Sequence, residues 1–177
     1  MVDAANYSAC ETLRDGHRVE IRALRPDDRA DLAAAVARAS TQSLYRRFFT
    51  VRRRFTASEI AFFLNVDFVN HVALVAVVEE NGRPVIVGGA RYIAVEAAKA
   101  EVAFAVIDQY QGQGIGSTLM QHLAAIARSA GLKELIAEVL PDNLPMLKVF
   151  QKSGLPMSTK FESQYESQVV HVSLRLS

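Results

Sequence analysis

Cysteine is almost missing from this sequence. Cys10 is the single one in 177 residues, so no disulfide can form within the chain and no thiolate-rich zinc site can be assembled. His17, His71, His122 and His171 show no ligand spacing either, and no metal is expected. Long apolar runs are also missing. The longest, over 72–78 and 102–107, are strand-sized and far short of the ~20 residues that span a bilayer. The opening MVDAANYSACETLRDG has neither the basic region nor the apolar core of a signal peptide. The expected location is cytoplasmic, with no membrane partner. Neither sign of charge dominates: twenty basic against nineteen acidic residues leave +1, which advertises no nucleic-acid partner.

What is present is ordinary globular material. Half the residues are hydrophobic and 22% are charged, and the length suits one domain with a hydrophobic core. Residues 1–16 are polar and aperiodic, and are expected to be a flexible N-terminal arm ahead of a single domain over 17–177. Residues 19–24 alternate as a first strand. Arg25-Pro26 ends it, because the residue before proline is pushed out of the helical region. Asp27 or Asp28 can cap an alanine-rich helix through about residue 39. Two short helices are expected over 44–49 and 58–64, joined at Arg52-Arg53-Arg54. The stretch HVALVAVVEENGRPVIVGGARYIAV reads as two strands around Asn81-Gly82, a strong hairpin signal. Gly88-Gly89 inside it suggests a bulge or a close backbone approach. A third strand over 99–107, a helix to about residue 130, a strand over 132–140, a helix after Asn143 and two closing strands complete the order.

The most informative segment is EVAFAVIDQYQGQGIGSTLMQHLAAIARSAG. An apolar strand runs through Gln111-Gly112-Gln113-Gly114-Ile115-Gly116 straight into an amphipathic helix. Three glycines at a helix start cost backbone entropy. They allow a tight turn and let amide N–H groups approach a ligand, where unpaired first-turn amides and the helix dipole favour a phosphate. A tight turn with glycines for close packing is the competing reading. The P-loop lysine is missing, and the glycine spacing differs from the dinucleotide fingerprint. Glu101 starts the apolar strand on one face with Ala103, Ala105 and Ile107, while Val102, Phe104 and Val106 take the other. A carboxylate there is expected to be partly desolvated, which makes it a better base. The competing reading is a strand end facing water.

Gln111-x-x-Gly114-x-Gly116 resembles the pyrophosphate-binding motif of the GNAT family of N-acetyltransferases. The stretch from Asn143 through Phe150 to Gly154-Leu155 is similar to that family's second cofactor motif, an asparagine ahead of a helix. Ile21-Arg22-x-Leu24-Arg25-Pro26-x-Asp28, Leu44-Tyr45-x-Arg47-Phe48-Phe49 and Glu101-Val-Ala-Phe-Ala-Val resemble bacterial protein lysine acetyltransferases. Some of those carry a regulatory partner domain, which is not expected within these 177 residues.

The resemblance implies an α/β (α+β) fold, a central mixed sheet of about seven strands flanked by helices. It implies acetyl-CoA as acetyl donor, held at its pyrophosphate by Gln111, Gly112, Gln113, Gly114, Ile115, Gly116 and Ser117. The thioester carbonyl would lie against backbone N–H groups of Ala105, Val106 and Ile107, with Asn143 and Phe150 bordering the cofactor. Asn143 as a plain helix cap stays an equal alternative. Glu101 would be the general base. A lysine amine is only roughly 0.1% neutral near pH 7.4, so a positioned base is useful. Phe150 departs from the family pattern, where a tyrosine often protonates the leaving thiolate. Phenylalanine has no proton to give, Tyr110 is only adjacent in sequence, and no general acid is assigned.

Arg46, Arg47, Arg52, Arg53 and Arg54 could steer an acidic protein surface, meet the 3′-phosphate of coenzyme A, or form a solvated face. His122 reads as a packed histidine, and Phe62, Phe63 and Phe68 as groove or core. The expected acceptor is a protein lysine. A small amine, amino acid or antibiotic would instead call for a deep acidic pocket, and an acyl-CoA-sensing module would bind without turnover.

Overall fold

The run from His71 to Val78 is buried at every position, so its strand needs neighbours on both edges and cover on both faces. It is the third strand of an eight-stranded sheet in the computed structural model, which describes residues 2–38, 64–164 and 167–176. The strands are β1 (Ser8–Thr12), β2 (Arg18–Ala23), β3 (His71–Glu80), β4 (Arg83–Glu96), β5 (Lys99–Val106), β6 (Glu134–Val139), β7 (Met157–Gln164) and β8 (Ser167–Arg175). Their spatial order is β1-β2-β3-β4-β5-β6-β8-β7. Only β5 and β6 pair in parallel, which requires a crossover through the intervening helix. The described helices are α1 (Arg29–Arg38), α2 (Ile115–Ser129) and α3 (Leu144–Lys152). The expected helix over 44–49, all but Leu64 of the one over 58–64, Arg46, Arg47, Arg52, Arg53 and Arg54, and Phe62 and Phe63 lie outside the described residues.

The mixed sheet flanked by helices is as expected, with eight strands where about seven were expected, and residues 8–12 of the expected arm supply one of them. Residues 8–12 pair antiparallel with β2 from Ser8 opposite Arg22 to Thr12 opposite Arg18. Their side chains (Ser, Ala, Cys, Glu, Thr) carry little apolar alternation, so backbone pairing and tertiary contacts define this edge strand. Leu13 is buried beyond its end, and His122 of α2 bonds both to the Tyr7 hydroxyl and, at 2.8 Å, to Glu11.

The hairpin expected at Asn81-Gly82 joins β3 and β4, and both residues have positive φ, 51° and 77°. The β3–β4 register shifts between Ala76 and Val77 beside Gly88. A Cβ on Gly88 would lie 3.1 Å from the Ala105 carbonyl oxygen. Bulge and close approach therefore coincide, and a bulge adds local twist to the sheet.

The turn from β2 into α1 is built on a buried ion pair. The Arg22 guanidinium donates two parallel bonds of 2.8 Å to Asp28, whose carboxylate also accepts the Arg25 amide at 2.7 Å. Burial pushes the Asp28 carboxyl up, but the Arg22 bonds and the Arg25 amide outweigh it and hold the group below its ordinary value. A depressed folded-state value means the pair stabilises the protein above the unfolded carboxyl range, near pH ~3.9. That contribution is lost as pH falls through the folded value. Asp28→Ala should cost about 3–5 kcal/mol at pH 7, because it strands a buried charge. In urea denaturation the deficit should shrink as pH falls below ~3.9, where the carboxyl is protonated in the unfolded chain, and further as pH falls through the lower folded value.

Candidate active site

β5 and β6 are held together by three residue pairs, the last being Glu101 opposite Ile136. Beyond that point β5 continues to Val106 against β4 alone. The gap widens into a cleft of ≈ 540 Å³, which α3 and the start of α2 also line. Glu101, Ala105, Val106, Gln111, Gly112, Gly114, Ile115, Gly116, Ser117, Asn143 and Phe150 all line it. Residues from two strands, a turn and two helices thus meet in one place.

The glycines differ in function. Gly112 and Gly114 have φ of +81° and +95°, a region that side chains with a Cβ enter at a cost. Gly116 is helical, and a Cβ there would sit 3.1 Å from Val149 of α3. It keeps the two helices close, so the packing reading holds at this position. Gly114 caps α2 without any side-chain bond. Thr118 is the first amide to bond back, to Gly114 at 2.9 Å. Among the described residues no acceptor meets the amides of Ile115, Gly116 and Ser117, which lie at the cleft wall. Positive dipole and free donors coincide there.

Two groups of expected contacts are corrected, the strand amides first. The Ile107 amide donates to the Val87 carbonyl at 2.9 Å, and its side chain is buried. Peptide groups alternate along a strand, and the register is regular where Gly88 faces Val106 and Gly89 faces Ala105. Ala105 therefore shares the β4-facing direction of Ile107. The Val106 peptide group points away from β4, its carbonyl accepting from the Gln111 side chain at 2.9 Å. Of the three amides, only that of Val106 is aimed at the cleft. Gln113 is the second correction: it does not line the cleft, and its side-chain oxygen is enclosed without a hydrogen-bond partner.

Glu101 is exposed rather than desolvated. Its position on β5 leaves it where the strands part, and it also lines a second recess of ≈ 220 Å³ with Glu138, Ser158, Thr159 and Ser173. Asn143 lines the cleft and caps α3 by accepting the Met146 amide at 3.3 Å. Phe150 is 1% exposed and packs edge-on against Phe104, with ring centroids 5.9 Å apart. The Tyr110 hydroxyl donates to Glu80 at 2.6 Å, and Glu80 is gripped by both Arg38 nitrogens at 3.0 Å. The bond to Glu80, then burial, pushes the phenol up, which makes it a poorer acid.

Sequence reasoning missed Glu138 and three cations on the cleft wall: Arg14, Lys148 and Lys152. Asp15-Gly16, a hairpin dipeptide, was the available signal that Arg14 sits in a turn between strands. His122, half-buried against Tyr7 and Glu11, is structural as expected and lies off the cleft. Phe68 packs against the core. No helix among the described residues is long and apolar enough to cross a membrane.

Comparison with known proteins agrees with this architecture. Residues 38–155 match the Acetyltransferase (GNAT) family. Acetyltransferase Pat of Mycolicibacterium smegmatis is 35% identical over 144 residues, 80% of this chain and 42% of Pat. The chain thus spans less than half the length of that relative. Acetyltransferase PA5475 of Pseudomonas aeruginosa is 33% identical over 71% of this chain and 68% of its own length. The crystal structure of the GNAT domain of S. lividans PAT superposes with a TM-score of 0.82 at 34% identity, covering 95% of this chain and 96% of that one. With the family match spanning about two thirds of the chain, including the parted strands β5 and β6 and the glycine turn, the chain belongs to the GNAT family, whose members are acetyl-CoA-dependent acetyltransferases.

Proposed function

We propose that this chain transfers the acetyl group of acetyl-CoA directly to a primary amine, with the side chain of a protein lysine as acceptor. The observation that carries the reading is a cleft polarised along its length. Arg14 and the free helix amides occupy one part, beside Gly114, and the carboxylates Glu101 and Glu138 stand where β5 and β6 part. An anionic donor and a cationic acceptor suit opposite parts of such a cleft. The site fits the donor: the amides at the α2 start are unpaired, and ≈ 540 Å³ lies within the ~300–1,000 Å³ typical of ligand sites.

Acetyl-CoA, when bound, supplies an acyl thioester that an amine can attack. Glu101 takes a proton from the acceptor ammonium, leaving the nitrogen lone pair free to form the C–N bond. The Val106 amide, aimed into the gap, donates to the carbonyl oxygen where negative charge develops. Breaking the C–S bond releases coenzyme A as a thiolate, and the second proton that the nitrogen sheds on becoming an amide passes to water or to that sulfur. Thiols are acidic enough, at a reference value near ~8.5, to leave without a protein donor. That agrees with a phenylalanine at 150 and with a Tyr110 hydroxyl already engaged by Glu80.

The acceptor assignment draws on the recess that shares Glu101 with the cleft. At ≈ 220 Å³ it falls below the ~300–1,000 Å³ of sites for drug-sized ligands, and its lining includes the carboxylates Glu101 and Glu138 and three hydroxyls beside Lys160 and His171. An alkylammonium arm fits these dimensions better than an antibiotic. The stretches similar to bacterial protein lysine acetyltransferases support the same reading.

Glu101→Gln should lower kcat/KM for a lysine peptide by about 10²–10⁴-fold at pH 7.5. Coenzyme A binding should be retained, as followed by thiol release and calorimetry. Undiminished turnover would remove Glu101 from the role of base. Gly114→Ala should destabilise the fold by about 1–2 kcal/mol in urea denaturation, because φ of +95° is strained for alanine. It should also weaken coenzyme A binding, since the α2 amides would be re-aimed.

A further inference from the structure

The turn between β1 and β2 lies outside residues 38–155, the part of the chain that matches the family. It nevertheless delivers Arg14 to the wall of the cleft, beside Gly114. Backbone bonds fix the turn on both sides of Arg14. The Leu13 amide donates to His17 at 2.7 Å, and the Gly16 amide donates to Leu13 at 3.0 Å. The Leu13 side chain is sunk in the core, so the base of the arginine is anchored.

Nearby carboxylates are engaged elsewhere. Asp15 accepts the His17 amide at 3.0 Å and its ring at 2.6 Å. Glu11 is bonded to His122, and Glu20 accepts the Ser8 hydroxyl at 2.7 Å. Among the described residues no carboxylate forms an ion pair with Arg14. Its Nε lies 3.9 Å from where a Cβ of Gly114 would stand. Gly114 is the residue whose carbonyl starts α2, so the guanidinium sits within one residue of the three unpaired amides. A phosphate accepting from those amides comes within hydrogen-bond reach of a planar, permanently charged fork.

We infer that Arg14 is a diphosphate-binding residue of the acyl-donor site, supplying from the β1–β2 turn the side-chain charge that the glycine turn lacks. The inference rests on the donor reading given above. The glycine turn from Gln111 to Ser117 carries no cationic side chain. The turn itself offers two negative phosphates only neutral amides and a helix dipole, and the other cations of the cleft wall, Lys148 and Lys152, belong to α3. The edge strand that brings Arg14 is itself fastened to α2 through His122, so turn and helix start are held as one unit.

Calorimetric titration of the full chain with coenzyme A and with dephospho-coenzyme A tests this. Arg14→Ala should weaken both about tenfold, the size of one charge-assisted contact. Arg14→Gln, which keeps much of the stem and loses the charge, should weaken both similarly. Arg18→Ala, on the same hairpin but off the cleft, should bind as wild type. Thermal melts of the unliganded variants should match wild type, because Arg14 is exposed and makes no ion pair in the described structure. Less than threefold weakening in both arginine 14 variants overturns the inference. So does a loss seen with coenzyme A but absent with dephospho-coenzyme A, which would move the contact to the 3′-phosphate. Wild-type protein that binds neither compound would overturn the donor reading itself, whereas tight wild-type binding with indifferent variants removes Arg14 alone.

Discussion

Everything at the site depends on how briefly β5 and β6 stay together. Three residue pairs join them, and then each keeps only its outer neighbour, β4 on one side and β8 on the other. A strand edge left unpaired inside a sheet exposes peptide groups that must find other partners. One is taken by the Gln111 side chain, which bonds the Val106 carbonyl. The Val106 N–H remains aimed at the gap. The same parting sets Glu101 at the corner where two recesses meet and leaves it in contact with water. A continuous eight-stranded ladder would bury none of this and offer no cleft.

Holding such a gap open calls for stiffness around it. The bulge beside Gly88 lies where the β4 backbone comes close to Ala105, so twist is added next to the unpaired segment. On the other side, Gly116 lets α2 approach Val149 of α3, and Phe150 packs edge-on against Phe104. The buried Arg22–Asp28 pair ties the end of β2 to the start of α1, and Arg38 of α1 grips Glu80, which in turn holds Tyr110. These fastenings reach the glycine turn from several elements, and together they pre-position it for a ligand.

Charge is placed along this frame rather than accumulated. The chain is almost neutral overall, yet Arg14 stands near the free amides of α2 while Glu101 and Glu138 face the opening between the strands. A net charge near zero therefore says little about the field inside a cleft. The distribution depends on β1, whose side chains are undistinguished, and on a turn that a reading of apolar periodicity passes over.

The sequence by itself determined the elements with strong local signals. Asn81-Gly82 makes a hairpin because both residues tolerate positive φ, and Gly112 and Gly114 make the turn for the same reason. The continuous apolar run of β3, the amphipathic α2 and the Asn143 cap are local properties too, and so, among the described residues, the order of strands and helices was legible from β2 onward. Tertiary structure alone decided the rest. It made a strand of residues 8–12, brought Arg14 across to Gly114, withdrew Ile107 and Gln113 from the cleft and left Glu101 in water. Each of these turns on which edges pair and where pairing stops. No run of neighbouring residues encodes that choice, because it is settled by packing between segments a hundred positions apart.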